Sequence, residues 1–192
     1  MTHQPAISFS ISFQHPFNRA GGRTSNVRHK ILKTMIRVKY LKDCQDTIPT
    51  WTDCFWREWQ SIYQATGRTQ QDVQASIAER TNTDGLPLAV VAFVKDVAVG
   101  TGCLKTNDFT ARPDLCPWVA GIYVIPDYRR RGVASIILQR LEQESVNLGY
   151  PCCFLWTASA ELLYFKHGWE VVERVDYCDA PATIMTKTAN KS

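Results

Sequence analysis

Arg129-Arg130-Arg131-Gly132-Val133-Ala134 is the stretch of this chain best suited to chemistry. Three cations run into two small residues, just after Pro126 has stopped an apolar segment. The spacing predicts a helix that begins within this stretch. The first backbone N–H groups of a helix have no internal acceptors, and the helix dipole adds partial positive charge there. A pyrophosphate can accept those bonds if the backbone approaches closely. Gly132 and Ala134 permit the approach, and the arginines add cationic attraction. Taken alone, R-x-x-G-x-A reads better as a solvated helix start or part of a nuclear-targeting run, because the motif is short. Its context favours the phosphate. An apolar strand precedes it, and an amphipathic helix follows with Val133, Ile136, Ile137 and Leu141 inward. No G-K-[ST] and no G-x-G-x-x-G is present, which argues against a P-loop or dinucleotide site.

The elements that would position this loop can be read outward from it. Trp118–Ile125 is a strand ended by Pro126, and a helix runs from about Arg131 to Leu148, where Gly149 terminates it. Cys152–Thr157 is the next strand. Together they form a β-α-β unit, which requires a right-handed crossover and a locally parallel pair. Upstream, Ile36–Leu41 alternates as a strand. A helix opened by Thr47-Ile48-Pro49-Thr50 puts Trp51, Phe55, Trp56, Trp59 and Ile62 on one face. A second helix lies near Arg68–Arg80. Strands Pro87–Val94 and Val97–Thr106 are joined by a tight Lys95-Asp96 turn. Downstream, Ser159 caps a short helix, Ala160–His167, ended by Gly168, and Trp169–Val175 with Thr183–Lys187 closes the chain. The order is β-α-α-β-β-β-α-β-α-β-β, an α/β (α+β) chain with a mixed sheet.

Bulk properties bound the function. At 192 residues and 45% hydrophobic content, the chain suits one domain with a real core. Residues 1–34 hold five cations and no acid, and setting them aside leaves 17 basic against 18 acidic residues. The formal charge of +4 therefore belongs to the tail. A nucleic-acid binder would carry its basic excess on the domain. No apolar run spans a bilayer. The seven scattered cysteines include no C-x-x-C, so they read as reduced thiols rather than a disulfide framework or metal site, which points to the cytoplasm. Residues 35–192 read as the single domain. Residues 1–34 read as an extension upstream of a true start at Met35, a disordered tail, or an acid-poor transit peptide.

With these residues in place, the chain resembles the GNAT superfamily of N-acetyltransferases, over roughly Ile36 to Lys187. Val124-x-Pro126-x-x-Arg129-x-x-Gly132-x-Ala134 is similar to that family's acetyl-CoA signature. Ala160-x-x-Leu163-Tyr164-x-x-x-Gly168-Trp169 is similar to its A-x-x-L-Y-x-x-x-G-[FYW] segment. The family often has Gly where this chain has Arg130 and Ala134, and Asn where it has Thr157. The resemblance implies a GNAT-like fold in which the strands Trp118–Val124 and Cys152–Thr157 splay apart. It implies acetyl-CoA as cosubstrate and no metal. The cofactor residues would be Ile122, Tyr123, Val124, Arg129, Arg130, Arg131, Gly132, Val133, Ala134, Thr157 and Tyr164.

Acetyl transfer to an amine needs a neutral amine, a stabilised oxyanion and a protonated leaving thiolate. Tyr164 falls on the family's tyrosine, which often protonates the sulfur; its other reading is a buried packing residue. Asp108, Glu58 and Asp114 are candidate bases, each also readable as a solvated charge, with Asp114 near enough to pair with Arg112. His167 reads as a helix-end cation. The expected activity is acetylation of a primary amine, of a small molecule first. A protein or peptide N-terminus is the alternative acceptor, since the Leu-Trp-Thr…Gly-Trp stretch resembles the actin-type N-terminal acetyltransferases. A non-catalytic acyl-CoA sensor is the alternative outside enzymes. Expected partners are acetyl-CoA and an amine, without nucleic acid or membrane, in a monomer or homodimer.

Overall fold

A computed structural model describes residues 36–177 and 180–188. The expectations for residues 1–34 and for Cys178 lie outside the described residues. Seven strands form one sheet in the order β1-β2-β3-β4-β5-β7-β6. They are β1 Ile36–Tyr40, β2 Leu88–Val94, β3 Val97–Lys105, β4 Trp118–Val124, β5 Cys152–Thr157, β6 Glu170–Tyr177 and β7 Ala180–Thr188. The helices are α1 Ile48–Ala65, α2 Gln70–Ala78, α3 Val133–Asn147 and α4 Glu161–Phe165. The predicted order of strands and helices holds. Short 3₁₀ turns at Leu41–Thr47 and Pro126–Tyr128 are added to it.

β2 shows why the sheet is sandwiched. It is buried along its whole length, so it reads as a continuous apolar run. Leu88, Val90, Ala92 and Val94 pack with Val133, Ile137 and Leu141 of α3. The alternate residues Ala89, Val91 and Phe93 pack with Trp51, Phe55 and Trp59 of α1 and Val73 and Ile77 of α2. α3 lies very close to β3. A Cβ on Gly102 would stand 2.8 Å from Ile137 Cγ2.

Three local expectations change. Ile62 is 39% exposed, and Tyr63 takes the inward place instead. The helix departs from helical geometry at Trp59 (φ −124°, ψ 23°), so the last turn is re-phased. On α3, Ile136 is only half-buried and Leu138 is buried in its stead. At α4 no side chain caps the helix, Ser159 included, and Ala160 is the N-cap residue. Thr157 Oγ1 accepts from the amides of Ser159 (3.3 Å) and Ala160 (2.9 Å). α2 begins as the sequence suggests, with a Thr69–Asp72 capping box.

Among the described residues, β4 and β5 are the only parallel neighbours in the sheet, and they share a single register pair, Trp118↔Phe154. Beyond it they diverge, while β5 is fully laddered to β7 on its other side. β4 also carries a bulge against β3: Thr101 pairs Tyr123 and Cys103 pairs Ala120. Gly121, at φ +58°, absorbs the extra residue. The bulge sits where the two strands part.

Candidate active site

A cavity of about 310 Å³ lies along β4 past the point where β5 parts from it, with no β5 residue in its lining. Ile122, Tyr123 and Val124 of β4 form one wall. The loop and start of α3 supply Tyr128, Arg129, Arg130, Gly132, Val133, Ala134 and Ser135. α1 contributes Glu58 and Trp59, and the α4 region contributes Leu163, Tyr164 and His167.

The loop has the backbone of an anion cradle. After the turn Pro126–Tyr128, Arg129 is extended (φ −64°, ψ 156°), Arg130 is left-handed (φ 59°) and Gly132 is left-handed (φ 84°). Gly132 is the N-cap of α3, and no side chain caps the helix. The first amides of α3 are therefore left for an anion at the cavity edge. Left-handed backbone is costly for a residue with a Cβ. That accounts for the preference for Gly at the position of Arg130 within the family resemblance.

The three arginines have three different jobs. Arg129 is committed to the protein: Nε donates to Val124 O at 2.8 Å, and Nη2 meets Glu58 Oε2 at 3.3 Å. Its guanidinium also lies over the Tyr123 ring, 5.4 Å from the centroid. It ties the end of β4 to α1 and sets where the loop begins. Arg130 lines the cavity. Arg131 is outside the lining residues and lies over Tyr128 at 5.4 Å.

Tyr164 lines the cavity and is 3% exposed. It packs edge-on to Trp169, with centroids 5.9 Å apart. Burial alone pushes its phenol far above the ordinary value, because the phenolate would lose its hydration. Tyr164 is thus a proton-bearing group at any ordinary pH.

The remaining candidates separate. Glu58 lines the cavity, but its carboxylate is engaged by Arg129. Asp108 is not in this cavity. It is 1% exposed beside Lys105, whose Nζ meets Oδ1 at 2.7 Å. Burial pushes its carboxyl up, with Lys105 opposing. Asp114 is paired with Arg112 at 2.7 Å. Thr157 is 1% exposed, its hydroxyl accepts from the amides of Ser159 and Ala160, and it does not line the cavity. Sequence reasoning passed over Ser135, Tyr128 and Leu138 as lining residues, and it placed His167 only at a helix end. His167 Nε2 and Ser135 Oγ lie 3.1 Å apart, a bridge between α3 and the end of α4. These residues are spaced on helical turns around the loop, so the motif itself was the available signal.

Among the described residues, no cluster of three or more His, Cys, Asp or Glu could hold a metal, and no helix is long and apolar enough to cross a membrane. The six described cysteines are free thiols.

Known structures share this architecture. The Salmonella typhimurium protein yncA, solved with its cofactor acetyl-CoA, superposes with a TM-score of 0.64 at 13% identity, over 82% of this chain and 96% of that one. An aminoglycoside 6'-N-acetyltransferase complexed with coenzyme A gives 0.60 at 17%, over 79% and 96%. Ard1 from Thermoplasma volcanium gives 0.59 at 15%, over 82% and 99%. No curated protein matches the chain significantly in sequence. The family model for the acetyltransferase (GNAT) family matches residues 48–169, which takes in the loop, the parted strands and Tyr164. The chain belongs to the GNAT family of acetyltransferases.

Proposed function

We propose that this protein transfers the acetyl group of acetyl-CoA to a primary amine of a small molecule, by direct attack in a ternary complex. The observation that carries the reading is one continuous cavity, with the uncapped start of α3 at its edge and buried Tyr164 in its wall. The residues fit the donor. The α3 amides and Arg130 suit a pyrophosphate, and the β4 edge at Ile122–Val124 is left unladdered by β5 for a pantetheine arm.

The chain's groups then have separable tasks. Holding donor and amine together makes the attack effectively unimolecular. The amine arrives as an ammonium and releases one proton to water, which makes its lone pair available. Its nitrogen bonds the thioester carbonyl carbon, the C–S bond breaks, and Tyr164 gives a proton to the departing sulfur. Tyr164 is reprotonated at the expense of the amine's second proton. Glu58, paired with Arg129, positions the loop, and water in the open cleft accepts the first proton.

Thiol release across a panel of amines and peptides, after acetyl-CoA binding is established by thermal shift, tests the reading. At least one small primary amine should release CoA thiol faster than any peptide. Faster release by peptides would move the acceptor to a protein N-terminus. Binding without release on any acceptor would make the protein an acyl-CoA sensor and end the transferase reading.

A further inference from the structure

α4 has only five residues, Glu161–Phe165, and a helix that short does not hold itself in place. Its own apolar anchoring is thin, since Leu162 is 77% exposed and Phe165 44%. Yet α4 carries Tyr164, which lines the large cavity. The start of α4 is tied to the last two strands by Glu161, which accepts from Arg174 Nη2 (2.6 Å) and Thr183 Oγ1 (2.9 Å). Tyr164 lies at the other end, so its placement depends on what holds His167–Trp169.

α3 grips that segment at two points on one stripe. Ser135 and Glu142 are seven residues apart, which is two turns and about 10 Å along the helix. Ser135 Oγ meets His167 Nε2 at the cavity wall. Glu142 divides its carboxylate. Oε1 accepts from the Trp169 indole at 2.8 Å, and Oε2 accepts from Lys187 Nζ at 2.7 Å. Lys187, on β7, also donates to the His167 carbonyl at 2.8 Å. The backbone carries these ties to Tyr164. Its carbonyl accepts from the amides of His167 (2.9 Å) and Trp169 (3.1 Å), and its ring packs on Trp169.

The residue types fit this task. Two donors converge on Glu142, and a carboxylate has an oxygen for each. A glutamine there would have one carbonyl oxygen, so either the indole or the ammonium would lose its acceptor. Trp169 is buried, and a buried indole N–H without an acceptor is costly. Neither Glu142 nor Lys187 lines the large cavity, so any effect on chemistry passes through the segment they hold.

We propose that Glu142 and Lys187 are positioning residues for acetyl transfer, whose bracket on His167 and Trp169 holds the Tyr164 phenol against the departing sulfur. This rests on the acid role of Tyr164 proposed above. The step keeps its balance. The amine nitrogen bonds the carbonyl carbon, the C–S bond breaks and the phenol proton goes to sulfur. The bracket gains and loses no proton.

The test is a double-mutant cycle of Glu142→Gln with Tyr164→Phe, read in two ways. The first is thiol release from acetyl-CoA with the amine that leads the panel above. The second needs no acceptor: calorimetric binding of CoA against desulfo-CoA, which lacks the thiol. Glu142→Gln should lower kcat about tenfold with KM for acetyl-CoA within about twofold, and should lower it less than about twofold further once Tyr164 is Phe. The wild type should favour CoA over desulfo-CoA about fivefold, and either substitution should remove most of that preference. If Glu142→Gln does not fold, Lys187→Met, which leaves the indole its acceptor, takes its place. An equal loss of kcat in the Tyr164→Phe background is what a merely structural role gives, and it would overturn the proposal while leaving Tyr164 as the acid. A CoA preference that survives Glu142→Gln, or is absent from the wild type, would overturn it too. Unchanged turnover in Tyr164→Phe would sink the acid reading and the proposal together. A CoA preference that needs both residues, with no thiol release on any amine, would uphold the bracket and sink the transferase reading instead.

Discussion

At the residue scale, Tyr164 is where environment and chemistry agree most closely. Burial raises its pKa, so it keeps its proton, as the general-acid role proposed for it requires. Tyr164→Phe removes one hydroxyl and keeps the ring packed edge-on to Trp169. Acetyl-CoA affinity should stay within a few-fold while kcat falls about 100-fold, at the low end of general-acid effects because a thiolate leaves readily. Stopped-flow thiol release reads both quantities, and unchanged turnover would remove Tyr164 from the mechanism. Asp108 teaches the reverse lesson. As a loop residue it reads as a candidate base, yet the fold buries it beside Lys105 on the other side of β4. Nothing local in the sequence around Asp108 records that burial, which comes from α2, β3 and the aromatic cluster of Phe109, Trp118 and Trp156.

At the element scale, the β4–loop–α3–β5 unit was legible because every signal agreed. A continuous apolar strand, a proline stop, small residues at a helix start and a glycine stop all specify the same local geometry. α1 was legible only up to Trp59. A periodicity argument assumes a regular helix, and the departure at Trp59 shifts the buried position from Ile62 to Tyr63. The Ser159 cap expected for α4 is absent for a related reason: Ala160 takes the N-cap position, and Thr157 holds the turn before it through the amides of Ser159 and Ala160. The close packing of α3 on β3 gives a sharp check. Gly102→Ala would drive a methyl to 2.8 Å from Ile137 and 3.1 Å from Leu141. Such overpacking costs about 1–3 kcal/mol. Urea denaturation should show that loss with an unchanged m-value, and a neutral result would mean α3 can slide on the sheet.

At the scale of the whole molecule, the parting of β4 and β5 leaves two half-sheets joined by one register pair and bridged by α3. A pantetheine arm in the gap would hydrogen-bond as a missing strand does. At about 100 times Kd, a ligand that binds only the folded state adds about 2.7 kcal/mol. For a domain of this size that is a rise in melting temperature of about 5–10 °C. Amide exchange should slow at Ile122–Val124 in the same experiment. A rise without that protection would place the ligand elsewhere. The loop at the mouth of the gap adds a constraint on throughput. If its grip falls on the diphosphate, as proposed, the spent carrier offers it the same diphosphate as the charged one. Discarded CoA should then compete with fresh donor for one berth, and the rate should follow the ratio of charged to spent carrier more closely than the amount of either.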